Sequence, residues 1–157
     1  MKLKRFTIII LAAVLLSFTA IAAACGNGEF PDGEYFYVSL SVNASAALRS
    51  DNLSQEVRDV LPEDGYILQT RQIRITRRTT VLTLLRDELT QEEISFIIRR
   101  GYVAEIGGLN EKAIGTQSGW IFFINGEFAS LGAGSTVVQA DDIIEWRYTA
   151  SFGDNGQ

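Results

Sequence analysis

Arg71, Arg74, Arg77 and Arg78 stand close together in the chain. A cluster of guanidinium groups can grip phosphate or carboxylate through forked hydrogen bonds. The plainer reading is that these arginines solvate the outer faces of a strand and balance an acidic domain. Asp141, Asp142 and Glu145 form the opposite charge cluster. Such carboxylates could bind calcium or work as an acid/base pair, but neighbours on a strand point to opposite faces and no EF-hand spacing surrounds them. They read as a charged turn entering a strand. Trp120, Phe122, Phe123, Trp146 and Tyr148 could stack on a flat ligand, although aromatics that alternate along strands more often fill a core. Histidine is absent from all 157 residues, which removes the commonest general base and the commonest metal ligand. No GxSxG elbow, SxxK pair or phosphate-cradling GxxxxGK[ST] loop occurs. The residues therefore assign no catalytic group, no metal ligand and no cofactor, and a protein without enzymatic activity is expected.

The single cysteine, Cys25, excludes an internal disulfide and stands at the end of a targeting segment. Lys2, Lys4 and Arg5 make a positive start, and Phe6 to Ala24 is apolar apart from Thr7, Ser17 and Thr19. That run is nearly long enough to cross a bilayer as a retained anchor, but it closes on Ala22-Ala23-Ala24-Cys25 and the sequence turns polar at once. Small residues directly before a cysteine resemble the lipobox of bacterial lipoproteins, in which that cysteine is acylated and becomes the new N-terminus. Residues 1–24 then form a lipoprotein signal peptide. Cys25 is the lipid attachment point, and two acyl chains there would give stable anchoring. Ala22 stands where the lipobox usually has a large aliphatic residue, with Ile21 one place earlier, so ordinary cleavage after Ala24 stays open. The expected location is the outer surface of a cell membrane, or the exterior if Cys25 carries no lipid.

Loss of residues 1–24 removes three basic groups and takes the net charge from −5 to −8. This acidic balance argues against nucleic acid, which is held by surplus Lys and Arg, and against electrostatic docking on anionic lipid. Residues 25–34 read as a Gly-containing tether, 35–150 as one domain of sufficient size for its own core, and 151–157 as a flexible tail.

The elements that must position any site follow from periodicity. Phe36, Val38, Leu40, Val42 and Ala44 alternate with polar residues and Tyr35 and Tyr37, predicting a long first strand. Leu53, Val57, Val60 and Leu61 predict a short helix over about 52–61, capped by Asp51 or Asn52 and ended by Pro62. A strand over about 66–76 should carry Ile73 and Ile75 inward with Gln72, Arg74 and Thr76 outward. Val81, Leu84, Leu85 and Leu89 form the apolar stripe of the best helix, capped by Thr79 or Thr80. A strand is favoured from about Ser95 to Arg100, with Tyr102–Ile106 its continuation or partner. Gly107-Gly108 breaks it, and a loop runs from Leu109 to Ser118. Trp120–Ile124 reads as a strand followed by an Asn125-Gly126 hairpin turn of type I′. A last strand over 142–149 puts Ile144, Trp146 and Tyr148 on one face, with Glu145, Arg147 and Thr149 on the other.

Leu61-Pro62-Glu63-Asp64-Gly65-Tyr66-Ile67-Leu68, Thr80-Val81, Tyr102-Val103, Ile106-Gly107-Gly108-Leu109, Ser118-Gly119-Trp120, Ile124-Asn125-Gly126, Gly132-Ala133 and Asp142-Ile143-Ile144-Glu145-Trp146-Arg147-Tyr148 together resemble an uncharacterised bacterial domain family grouped with the C-terminal domain of transcobalamin and intrinsic factor. The resemblance covers about residues 36–149. Asp141 stands where the family usually has glycine, and a cysteine pair of many relatives is absent. The resemblance implies an α+β fold, a small β-grasp-like mixed sheet packed on one or two short helices, following the N-terminal signal helix. It also implies a small ligand, cobalamin or a related corrinoid, which the carriers close over with a second, helical domain that this chain lacks. The candidate ligand-binding residues lie in the loops beside the hairpin: Gly107, Gly108, Leu109, Trp120, Asn125, Phe128 and Leu131. A surface-anchored module of this kind should present an exposed aromatic near the hairpin. The alternative is an envelope module that binds another protein or an extracellular polymer and has no role with cobalamin.

Overall fold

The structure, a computed structural model, describes residues 35–151. The signal segment 1–24, Cys25, the tether 25–34 and the tail from residue 152 onward lie outside the described residues.

The alternation at the start of the domain produces β1, Tyr35–Asn43, whose Val38, Leu40 and Val42 are buried while Tyr35 and Tyr37 face out. Asn43 ends it by turning its own chain: Oδ1 accepts the Ser45 amide at 2.8 Å. This local bond competes with strand pairing and starts a one-turn helix, α1 (Ser45–Leu48), that periodicity does not announce. The following helix, α2 (Gln55–Val60), begins later than the sequence predicts. Its cap is Ser54, whose hydroxyl accepts the Val57 amide at 3.4 Å, and not Asp51 or Asn52. Gly65, at φ +78°, closes the turn after Pro62 and starts β2, Tyr66–Thr76. Along β2, Ile73 and Ile75 are buried and Gln72, Arg74 and Thr76 exposed, as the alternation requires.

Thr80 caps α3 (Val81–Gln91), its hydroxyl accepting the Thr83 amide at 3.2 Å, and the stripe Val81, Leu84, Leu85 and Leu89 is buried. Then come β3 (Phe96–Arg99), β4 (Tyr102–Ile106) and the two-residue β5 (Leu109–Asn110). They make a small antiparallel sheet in which Tyr102–Ile106 is the partner of the preceding strand. The segment expected to be loop thus starts with one more ladder rung. β6 (Gly119–Ile124), β7 (Glu127–Phe128) and β8 (Ile143–Thr149) complete the chain. Asn125 at φ +54° and Gly126 at φ +82° form the turn of the β6–β7 hairpin, the pair of positive φ values a type I′ turn needs.

The main sheet has strand order β2-β1-β8-β6-β7. β1 and β8 lie parallel at its centre and the other pairs are antiparallel. This is the α+β arrangement expected, a mixed β-grasp-like sheet with its principal helix on one face. Register places Trp120 beside Tyr148, Phe122 beside Trp146 and Ile124 beside Ile144 on that face. The Trp120 and Tyr148 rings meet edge to face at 5.1 Å between centroids, a preferred aromatic geometry. Tyr148 also fastens the 110–118 loop: its hydroxyl donates to the Asn110 carbonyl at 2.7 Å, accepts the Ala113 amide at 3.0 Å and lies 3.1 Å from Ser118 Oγ. Among the described residues, α3, α1 through Ala47, the small sheet and the loops bury apolar residues in one core on this face, and α2 packs the partly buried Val57 against it. Ile121 and Phe123, of opposite parity, are buried outside that core.

Candidate functional site

The hairpin turn is held from the side. Asn125 Nδ2 donates to Asp142 Oδ1 at 2.9 Å, and its Oδ1 accepts the Ile143 amide at 2.9 Å. The other oxygen of Asp142 accepts the Gln139 amide at 2.8 Å. Asp142 is buried, so its carboxylate organises the entry into β8. That matches the charged-turn reading of Asp141 and Asp142. Among the described residues, no group of three or more His, Cys, Asp or Glu side chains is arranged to hold a metal ion.

Beyond the braced turn, β7 presents Phe128 with more than half its surface exposed. The ring leans edge-on against Phe123, centroids 5.9 Å apart. Leu131 follows, still more exposed. Both line a groove of about 310 Å³ together with Ile124, Glu127, Ala129 and Thr136. The backbone is fixed on both sides, because the Ala129 amide donates to the Phe122 carbonyl at 3.2 Å and the Thr136 hydroxyl donates to the Gly132 carbonyl at 3.1 Å.

The seven residues expected around a ligand therefore divide. Asn125, Phe128 and Leu131 come together at this groove. Gly107 and Gly108, at φ +60° and +81°, form the tight turn between β4 and β5, where Gly107 packs on Ile67 and Gly108 faces Val60. Leu109 and Trp120 lie inside the core, and the indole Nε1 donates to the Leu109 carbonyl at 3.0 Å. Trp120 and Asn125 stand at opposite ends of β6, roughly 16 Å apart at a strand's rise per residue. Gly107 and Gly108 do not line the hairpin groove.

The arginines also separate. Arg71 pairs with Glu92 and lies 3.9 Å from Glu88, pinning edge strand β2 to the last turns of α3. Burial raises the Glu88 carboxyl above its ordinary range, with Arg71 opposing, while the Arg71 hydrogen bond lowers Glu92. Arg74 lies over the Tyr35 ring at 4.7 Å. Arg77 and Arg78 line a separate open cavity of about 500 Å³ with Tyr35, Phe36, Val137 and Gln139. Arg147, paired with Glu145 at 2.9 Å, lies over the Phe123 ring at 4.3 Å. Spacing gave no sign of the Arg71 clamp or of the Arg147 stack, since each joins elements distant in sequence.

Residues 79–150 match the family described as Domain of unknown function (DUF4430). No curated protein matches the chain. Among solved structures, the chain is similar to haptocorrin in complex with Cbi, with a TM-score of 0.53 and 20% identity. The match covers 82% of this chain and 28% of that one, so the chain spans little more than a quarter of haptocorrin's length. It is also similar to a proposed metal binding protein from Ruminococcus gnavus ATCC 29149, with a TM-score of 0.43 and 12% identity, over 74% of this chain and 99% of that chain. The haptocorrin likeness agrees with the fold described above, and the domain match with the resemblance drawn from the sequence.

Proposed function

We propose that this chain is a lipid-anchored, extracytoplasmic and non-catalytic module that binds a small ligand, with a corrinoid as the first candidate and uptake as its purpose. The observation that carries the reading is the pair Phe128 and Leu131, left exposed on the rim of a groove whose backbone is braced. Leaving a phenylalanine and a leucine in water costs about 1.5–3 kcal/mol each relative to burial, and an apolar ligand face recovers it. Haptocorrin, one of the similar solved structures, is solved with Cbi. The groove volume, about 310 Å³, is at the small end for ligand sites. A corrinoid would be covered on one side only, so the isolated domain should bind it weakly and a partner would supply the opposite wall. Anchoring follows from Cys25, whose acylation would hold the module at the membrane through two chains.

The test is titration of the protein lacking residues 1–24 with cobalamin and cobinamide, followed by absorbance and calorimetry. Saturable binding in the micromolar to millimolar range, weakened about tenfold or more in Phe128→Ala, is expected. No heat and no spectral change at roughly millimolar ligand would remove the corrinoid. The anchoring claim is tested separately by the intact mass of the protein recovered from membranes: a Cys25 without acyl chains contradicts it.

A further inference from the structure

The two faces of the main sheet are treated unequally. Helices, small sheet and loops all contribute to the core on one face. The other carries Tyr35, Tyr37, Ser39, Ser41 and Asn43 from β1, in register with Arg74 and Gln72 of β2 and with Ile143, Glu145 and Arg147 of β8. Tyr35 is 55% exposed, Tyr37 52%, Tyr66 38% and Ile143 48%. Three of the chain's five tyrosines thus stand in solvent on one face. Serine, asparagine and glutamine fill the spaces between them, and at the far end Arg49, Tyr66, Asn43 and Arg147 line a shallow groove of about 260 Å³.

We propose that this open sheet face docks an acidic segment of another protein, with the tyrosines supplying apolar contact and Arg49, Arg74 and Arg147 the charge. Three observations select that occupant. Rigid tyrosines set among small hydrogen-bonding residues are the composition of protein-binding surfaces, because they give area and polarity at low entropic cost. The charge is local and opposite to that of the chain: three arginines stand against Glu145 on a protein of net charge −5. A second copy docked face to face would set these arginines against one another, which disfavours self-association and leaves an acidic partner as the complement. The arginines are also positioned in advance, Arg74 on Tyr35 at 4.7 Å and Arg147 on Phe123 at 4.3 Å, so little side-chain freedom is lost on contact. Three strands about 4.8 Å apart and about seven residues long make a rectangle of roughly 330 Å². That is about two-fifths of one side of a standard stable interface, so the contact is a reversible one.

This inference does not depend on the hairpin groove, and its test does not involve a corrinoid. The protein lacking residues 1–24, which keeps every residue of the described core, is labelled with ¹⁵N and titrated with a synthetic peptide of alternating Glu and Tyr. The same peptide with Lys for Glu and phosphatidylglycerol vesicles form the other arms. The acidic peptide should shift the amides of Tyr37, Ser39, Ser41 and Arg147, and the lysine peptide should not. Arg74→Glu should weaken binding about tenfold or more. Arg99→Glu makes the same change in net charge on an exposed residue of the small sheet and should leave it unchanged. Three results would overturn the proposal: no shift at roughly millimolar peptide, equal weakening by Arg99→Glu, or engagement of the same amides by vesicles in preference to the peptide, which would assign the face to lipid.

Discussion

Removing one oxygen, in Tyr148→Phe, tests whether the 110–118 loop hangs on the core as the structure indicates. The ring is fully buried, and phenylalanine keeps its edge-to-face contact with Trp120, so apolar packing is conserved. What disappears is a hub. The Asn110 carbonyl loses its 2.7 Å donor, the Ala113 amide its 3.0 Å acceptor, and Ser118 Oγ its 3.1 Å neighbour. An amide or carbonyl left unsatisfied in a protein interior costs about 1–3 kcal/mol. Two full penalties would give roughly 2–6 kcal/mol, but Asn110 is exposed and Ala113 half-buried, so water partly replaces the hydroxyl. Ser118 keeps its 2.8 Å bond to the Gly115 carbonyl. The expected loss is about 2–3 kcal/mol, read as a lower urea midpoint at unchanged slope. Amide exchange should accelerate at Ala113 and Ile114 before the sheet opens. A midpoint shift below about 0.5 kcal/mol, or faster exchange spread evenly over β6 and β8, would refute the hub. The same burial lifts the Tyr148 hydroxyl above its ordinary value of 10.0. The stability contributed by keeping it neutral is therefore complete below pH 10 and is lost as the pH rises through the higher folded value, whereas Tyr148→Phe should not show that alkaline decline.

Gly65→Ala should destabilise by at least about 2 kcal/mol, because a Cβ there would lie 2.9 Å from the Ser45 backbone at a φ of +78°; thermal unfolding measures it, and a neutral result would contradict the turn geometry. Asn125→Ala should cost about 1–3 kcal/mol by releasing the Asp142 carboxylate and the Ile143 amide, and should weaken any ligand of the hairpin groove along with it, by calorimetry. Glu88 and Glu92 give opposite pH trends: burial raises the folded value of Glu88 above 4.5, so its contribution grows as the pH falls from neutral toward 4.5, while Arg71 lowers Glu92, whose contribution is lost only below 4.5. Denaturant midpoints should therefore show Glu88→Gln losing its relative advantage between about pH 7 and 4.5, and Glu92→Gln flattening the acid limb below it; the reverse order would show the clamp to be misread.

Sequence periodicity carried most of the sheet. The alternation in β1, the inward pair Ile73 and Ile75, the stripe on α3 and the Asn125-Gly126 turn are local patterns, and each element's own spacing determines which face is buried. The elements missed lack such a pattern. α1 is started by one Asn43 side-chain bond, and β5 is two residues long, too short to show any period. Trp120 illustrates the limit at the candidate site. Its type suits a ligand platform and its spacing suits a core, and only the register that sets Tyr148 beside it and Leu109 above its indole nitrogen decides for the interior. Phe128 has the same chemistry and the opposite placement because β7 is an edge strand of two residues with no neighbour beyond it among the described residues. The distinction between a buried and an available aromatic thus lies in strand order, a long-range property. The same order explains the arginines. Arg71 and Arg74 are three residues apart in one strand, so they point to opposite faces. One meets the carboxylates of α3 and the other lies among the tyrosines of the open face. A cluster whose plainer sequence reading is solvated strand faces divides, once the strand is pleated, into a clamp on the α3 side and an exposed guanidinium on the other face.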